Sequence, residues 1–103
     1  MSIEIPTQPI PDHIAEACAW LSAAERFPGQ QLRQRLDAGD VLDILCDVDP
    51  PYPPIDTSRP ACPLTHVLPY VVRALEQAVE AAGSIEEKLR ASRALGTLRQ
   101  GLS

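Results

Sequence analysis

Apolar residues recur at three- and four-residue intervals along most of this chain, and that rhythm predicts helices. Ile14, Ala17, Cys18 and Leu21 fall at i, i+3, i+4 and i+7. They define one face of a helix that opens at Pro11, where a missing N–H removes no bond, and that ends near Phe27-Pro28-Gly29. Trp20 lies off that stripe, so it either widens the buried face or meets the N-terminal arm. Residues 30 to 37, QQLRQRLD, allow a short second helix with Leu32 and Leu36 at i, i+4, ended by Ala38-Gly39. Asp40 then fits the N-cap of a third short helix through Val41, Leu42, Ile44, Leu45 and Val48. Asp49-Pro50-Pro51 stops it, because a residue before proline is pushed out of the α region.

The strongest periodicity follows. Leu64, Val67, Leu68, Val71, Val72, Leu75 and Val79 keep the 3,4 rhythm as far as Ala82-Gly83. Pro69 interrupts it, and either kinks this helix or marks its true start. Gly83 suits a C′ position, and Ser84 with Glu87 forms a capping box for a last helix. Ile85, Leu89, Ser92, Leu95, Leu98 and Leu102 are the expected face of that helix. No strand alternation is evident, apart from Ile3-Glu4-Ile5. The expected fold is therefore all-α, a small bundle of four to five helices with a C-terminal antiparallel helical hairpin over 64–102. Residues 1–10, with Pro6 and Pro9, read as an extended arm, residues 11–103 as a single helical domain, and residues 49–63 as a Pro-rich connector.

Composition sharpens the setting. Aromatic residues are limited to Trp20, Phe27, Tyr52 and Tyr70, so the core must be Leu, Val, Ile and Ala. The chain has no Asn, and Lys88 is its only lysine beside eight arginines and thirteen alanines. That usage matches GC-rich codons and points to a high-GC bacterium or its phage. Three cysteines form no disulfide framework, and the opening residues lack a basic n-region and an apolar h-region. A reducing cytoplasm is the expected location, and no apolar run reaches the roughly 18 residues that span a bilayer.

Charge is uneven. The net value is −5, yet residues 37 to 56 hold six aspartates and no basic residue. Residues 84 to 103 hold Lys88, Arg90, Arg93 and Arg99 against Glu86 and Glu87. Nucleic-acid binding needs a concentrated basic face, so no direct nucleic-acid partner is expected.

The segment CDVDPPYPPIDTSRPACP, residues 46 to 63, holds six of the eleven prolines and two of the cysteines. Cys46, Cys62 and His66, with Asp47 or Asp49, are the candidate metal ligands. Zinc sites pair their ligands at short spacing, and these cysteines are unpaired at either end, so no metal is expected. Asp47-Val48-Asp49 begins like a calcium loop, but Pro50-Pro51 replaces what must follow. Cys62 and His66 stand one helical turn apart, which permits a thiolate pair and an alternative reading as a small thiol-dependent enzyme. No oxyanion device or phosphate loop accompanies them, so no catalytic residue and no cofactor are assigned. Three PxxP patterns occur, but they lack the flanking basic residue of SH3 ligands. A stiff bridge is the plainer reading, with Tyr52, Ile55 and Arg59 as the side chains expected to meet a partner. Asp40, Asp43 and Asp47 at i, i+3, i+7 form an acidic stripe, either a wet helix face or an imitation of nucleic-acid phosphates.

These readings converge on a non-catalytic helical protein-binding or regulatory protein. Its expected partner is another protein or a second copy in a homodimer, with no membrane involved.

Overall fold

The structure is a computed structural model that describes residues 7–101. It contains four helices and, among the described residues, no strand: α1 (Asp12–Glu25), α2 (Leu32–Cys46), α3 (Leu64–Glu80) and α4 (Ile85–Gly101). Ile3-Glu4-Ile5, most of the expected arm and Leu102 lie outside the described residues. α1 packs on α2 and α3, α4 packs on the other side of both, and α2 and α3 touch only briefly. The all-α bundle expected from periodicity is thus present. No described helix is long and apolar enough to cross a membrane.

α1 is the central element. Pro11 is its N-cap residue and Asp12 opens its first turn, where a carboxylate meets the positive end of the helix dipole. Ile14, Ala17, Cys18, Ala19, Leu21, Ala23 and Ala24 are all buried, so this helix is covered on several sides rather than along one stripe. Its alanines permit that, because a small side chain lets neighbouring backbone approach. The segment 47–63 uses the opening: Cys62 N–H donates to the Ala23 carbonyl at 3.3 Å, and the Arg26 guanidinium donates to the Arg59 carbonyl at 2.9 Å.

α2 corrects the expected break at Ala38-Gly39 and the expected cap at Asp40. One helix runs from Leu32 to Cys46 through both. Gly39 weakens a helix by about 1 kcal/mol relative to alanine, which is too little to end one whose neighbours pack on a core. Ala38, Val41 and Leu45 supply that packing, and all three are wholly buried. Leu32 and Leu36 do not join them and stand 70% and 58% exposed.

α3 starts at Leu64 with Pro63 as its N-cap residue, and Pro69 lies inside it. The helix continues because the ring is on the wet side: Pro69 and Thr65, whose carbonyl loses its partner, are both exposed. Leu64, Val67, Val71, Ala74, Leu75 and Ala78 form its buried stripe. The turn that follows differs from expectation at Gly83, which does not adopt positive φ. Its N–H instead donates to Glu87 Oε2 at 2.8 Å, while Glu87 N–H donates to Ser84 Oγ at 3.2 Å. The capping box is present with its return bond moved one residue upstream.

α4 turns a different face inward than its largest residues suggest. Ala91, Ala94, Leu95 and Leu98 are buried, whereas Ile85 and Leu89 are 77% and 58% exposed. Among the described residues, the core formed by the four helices contains no buried charged or polar side chain, with Cys18 among its members.

Candidate functional site

Three places concentrate chemistry that the core does not consume. The first lies where the middle of α1 meets the last turn of α2. Cys18 is wholly buried on α1, and Cys46, the last residue of α2, is half-buried. A thiol hydrogen bond joins them, donated by Cys18 and accepted by Cys46. That bond lowers Cys46 to about 7, against burial and the Asp43 carboxylate, which both push it upward. The same bond, with burial, pushes Cys18 far up, so it keeps its proton. Cys46 opens onto a surface depression lined by Asp43, Ile44, Asp47 and Arg93. Arg93 comes from α4, and among the described residues it is the only cation lining that depression.

Tyr52 adjoins this region from the segment after α2. Burial pushes its phenol up, while Arg90, hydrogen-bonded to it, pulls it down. Gln8, Val48, Asp49, Ser84, Glu86, Glu87 and Arg90 share a second, strongly polar depression with Tyr52. Gln8 reaches it through its backbone, donating to the Pro51 carbonyl at 3.0 Å.

The second place is an aromatic stack. Trp20 and Tyr70 lie with ring centroids 5.1 Å apart and planes 20° from parallel. Arg59 covers the indole, its guanidinium carbon 4.3 Å from the ring centroid. Trp20 therefore meets α3 and the segment before it. Tyr52, Ile55 and Arg59, the side chains expected to face a partner, each keep part of their surface open and each also packs within the chain.

The candidate metal ligands separate. Cys46 is beside Cys18, whereas Cys62 is tied to Ala23, five residues further along α1 and so about 7.5 Å along the helix axis. His66 is exposed on α3. Among the described residues, no group of three or more His, Cys, Asp or Glu side chains could hold a metal ion. Asp40, Asp43 and Asp47 are all exposed. Asp47 falls just beyond the last residue of α2.

The third place is the outer face of α4. Ile85, Leu89, Ser92 and Gly96 are all exposed and fall at i, i+4, i+7 and i+11. Beside them a depression of about 380 Å³ runs between α3 and α4, with Val79, Leu95 and Gly96 among its lining residues and Glu76, Glu80 and Arg99 around them. Arg99 and Glu76 form an exposed ion pair across it at 3.8 Å. Comparison with known protein families, with curated proteins and with solved structures returned no match.

Proximity in the chain drew attention to Cys46 with Cys62. The residue that Cys46 meets is Cys18, which periodicity had already placed on the buried face of α1. Arg90 and Arg93 carried no signal as site residues, because charged positions on a predicted helix are ordinarily just its wet face.

Proposed function

We propose that this chain is a non-catalytic protein-binding or regulatory module, and that its first partner is a second copy of itself. The stripe Ile85, Leu89, Ser92, Gly96 carries the reading. Isolated exposed apolar residues are ordinary on a protein surface. Here two large ones share a helical face with two small ones, alongside a shallow groove. Such a face is complementary to itself. In a two-fold arrangement with the α4 helices running oppositely, Ile85 and Leu89 of one copy meet Gly96 and Ser92 of the other. The reading includes α3 and α4 as an antiparallel hairpin, residues 49–63 as a stiff Pro-rich connector, no cofactor, and the cytoplasm of a high-GC bacterium or a phage-infected cell as the setting.

Sedimentation equilibrium over a broad concentration range tests it. The expected mass rises from one chain to two. Leu89→Glu, at a position already exposed in the single chain, should restore the single-chain mass with an unchanged circular dichroism spectrum. A single-chain mass at every concentration overturns the homodimer.

The joint exposure of Asp40, Asp43 and Asp47 supports a second reading, an inhibitor that imitates nucleic-acid phosphates in a basic groove. Its affinity for a DNA-binding protein should then fall steeply with salt. Binding that ignores both salt and a triple Asp40→Lys, Asp43→Lys, Asp47→Lys substitution removes this reading.

A further inference from the structure

Cys18 and Cys46 form a two-sulfur arrangement with a direction to it, away from the α4 stripe. The outer sulfur, Cys46, lines a depression open to solvent, with the Arg93 guanidinium on the same wall. The inner sulfur, Cys18, lies behind it, wholly buried and hydrogen-bonded to it. A small oxidant reaches the outer sulfur first, and whatever forms there is already beside a second thiol. The Cys62 backbone is held at Ala23 instead. We propose that Cys18 and Cys46 are a redox-active dithiol, in which Cys46 reacts with a hydroperoxide and Cys18 resolves the product as an intramolecular disulfide between α1 and the end of α2.

The two steps balance. The Cys46 thiolate attacks the terminal peroxide oxygen, the O–O bond breaks, and the departing alkoxide or hydroxide takes a proton from solvent. Cys46 is left as a sulfenic acid. The Cys18 sulfur then attacks the Cys46 sulfur, the S–S bond forms and the S–O bond breaks. The thiol proton of Cys18 leaves with the hydroxide as water. Two thiols are oxidised by two electrons in all, and the hydroperoxide is reduced to an alcohol, or to water from hydrogen peroxide, with a second water released.

Electrostatics at the outer sulfur support this order. The Cys18 hydrogen bond makes Cys46 the easier thiol to ionise, and the thiolate is the nucleophile. Burial and the Asp43 carboxylate oppose that negative charge, and the hydrogen bond outweighs both.

The test is a disulfide map. Reduced wild-type protein is treated with hydrogen peroxide, quenched with an alkylating reagent and cut with a protease specific for the N-side of aspartate. Cleavage before Asp12, Asp37, Asp43, Asp47 and Asp56 puts Cys18, Cys46 and Cys62 on separate peptides. The expected product has lost two hydrogens, joins the Cys18 and Cys46 peptides, and leaves Cys62 alkylated. Cys46 should also react at least about tenfold faster than Cys62, as expected for a thiol whose pKa is lowered and which opens to solvent. In Cys18→Ala the reaction should stop at a Cys46 sulfenic acid that dimedone captures. If that variant does not fold, the wild-type map decides alone. A bridge involving Cys62, a Cys46 oxidised but unbridged, or Cys18 and Cys46 both still alkylatable once Cys62 has oxidised overturns the proposal.

Discussion

Arg59 lies over the indole of Trp20, with its guanidinium carbon 4.3 Å from the ring centroid. This contact fastens the segment between α2 and α3 to the central helix. The same residue's carbonyl accepts a hydrogen bond from Arg26 at 2.9 Å, so backbone and side chain hold the segment at two points. Trp20 meets Tyr70 of α3 as well, which joins three parts of the chain around one ring.

Arg59→Ala should therefore lower stability by about 1 kcal/mol, combining a lost cation–π contact with lost packing of the aliphatic stem. Arg59→Lys keeps the charge but not the planar group, and should recover only part of that loss. Urea unfolding measures both. Trp20 is the single tryptophan, so its fluorescence should shift in the native state of Arg59→Ala. An unchanged unfolding midpoint and an unchanged emission maximum would mean that the stack contributes nothing.

The all-α architecture was legible because the signals for it agreed. In α3 the expected Leu64, Val67, Val71 and Leu75 are buried, Leu68, Val72 and Val79 are half-buried against the core, and Ala74 and Ala78 complete the stripe. α4 was misread because two stripes share the helical period. One holds Ile85 and Leu89, the other Leu95 and Leu98, and the choice rests on Ala91 and Ala94, which fit close against neighbouring helices. Tertiary packing made that choice, and the period of one helix cannot express it. The partnership of Cys18 and Cys46 was hidden for a related reason. It depends on which turn of α1 faces the end of α2, and that follows from an uninterrupted α2 that Gly39 had seemed to forbid.

Gly39 leads to the next prediction. A methyl group there would meet only Glu25 Oε2, at 3.6 Å, an ordinary contact. The backbone φ is not positive, so alanine fits without strain. Gly39→Ala should raise stability by roughly 0.5–1 kcal/mol through the reduced entropy of the unfolded chain. A lower urea midpoint would show that α2 needs its glycine, and would count against a continuous helix.

The start of α4 depends on two side chains that complete each other. Ser84 Oγ accepts the Glu87 N–H, and Glu87 Oε2 accepts the Gly83 N–H. Removing the cap with Ser84→Ala should cost about 1 kcal/mol. Glu87→Ala should cost a similar amount, because it also removes a carboxylate from the positive end of the helix. The double variant should lose less than the sum of the two, since both bonds hold the same turn. Strict additivity in urea unfolding would show that the two bonds act independently.

The thiol pair makes stability depend on pH in both directions. Cys46 is lowered from 9.0 to about 7 in the folded chain, so between those values the unfolded state binds more protons. Its contribution is present above pH 9 and is lost as pH falls through about 7. Cys18 is raised, so its contribution is complete below pH 9 and declines above it, when the unfolded thiol ionises and the buried one does not. Tyr52 is raised as well and adds to that decline above pH 10. Asp43, Asp47 and Arg93 line the same depression as Cys46. Under reducing conditions the urea midpoint of the wild type should therefore rise from pH 7 to 9 and fall beyond it. Cys46→Ser should abolish the rising limb, because a serine hydroxyl does not ionise in this range. A wild-type midpoint that stays flat across pH 7 to 9, or a Cys46→Ser profile that still climbs, would show that the Cys18 hydrogen bond does not hold Cys46 as a thiolate.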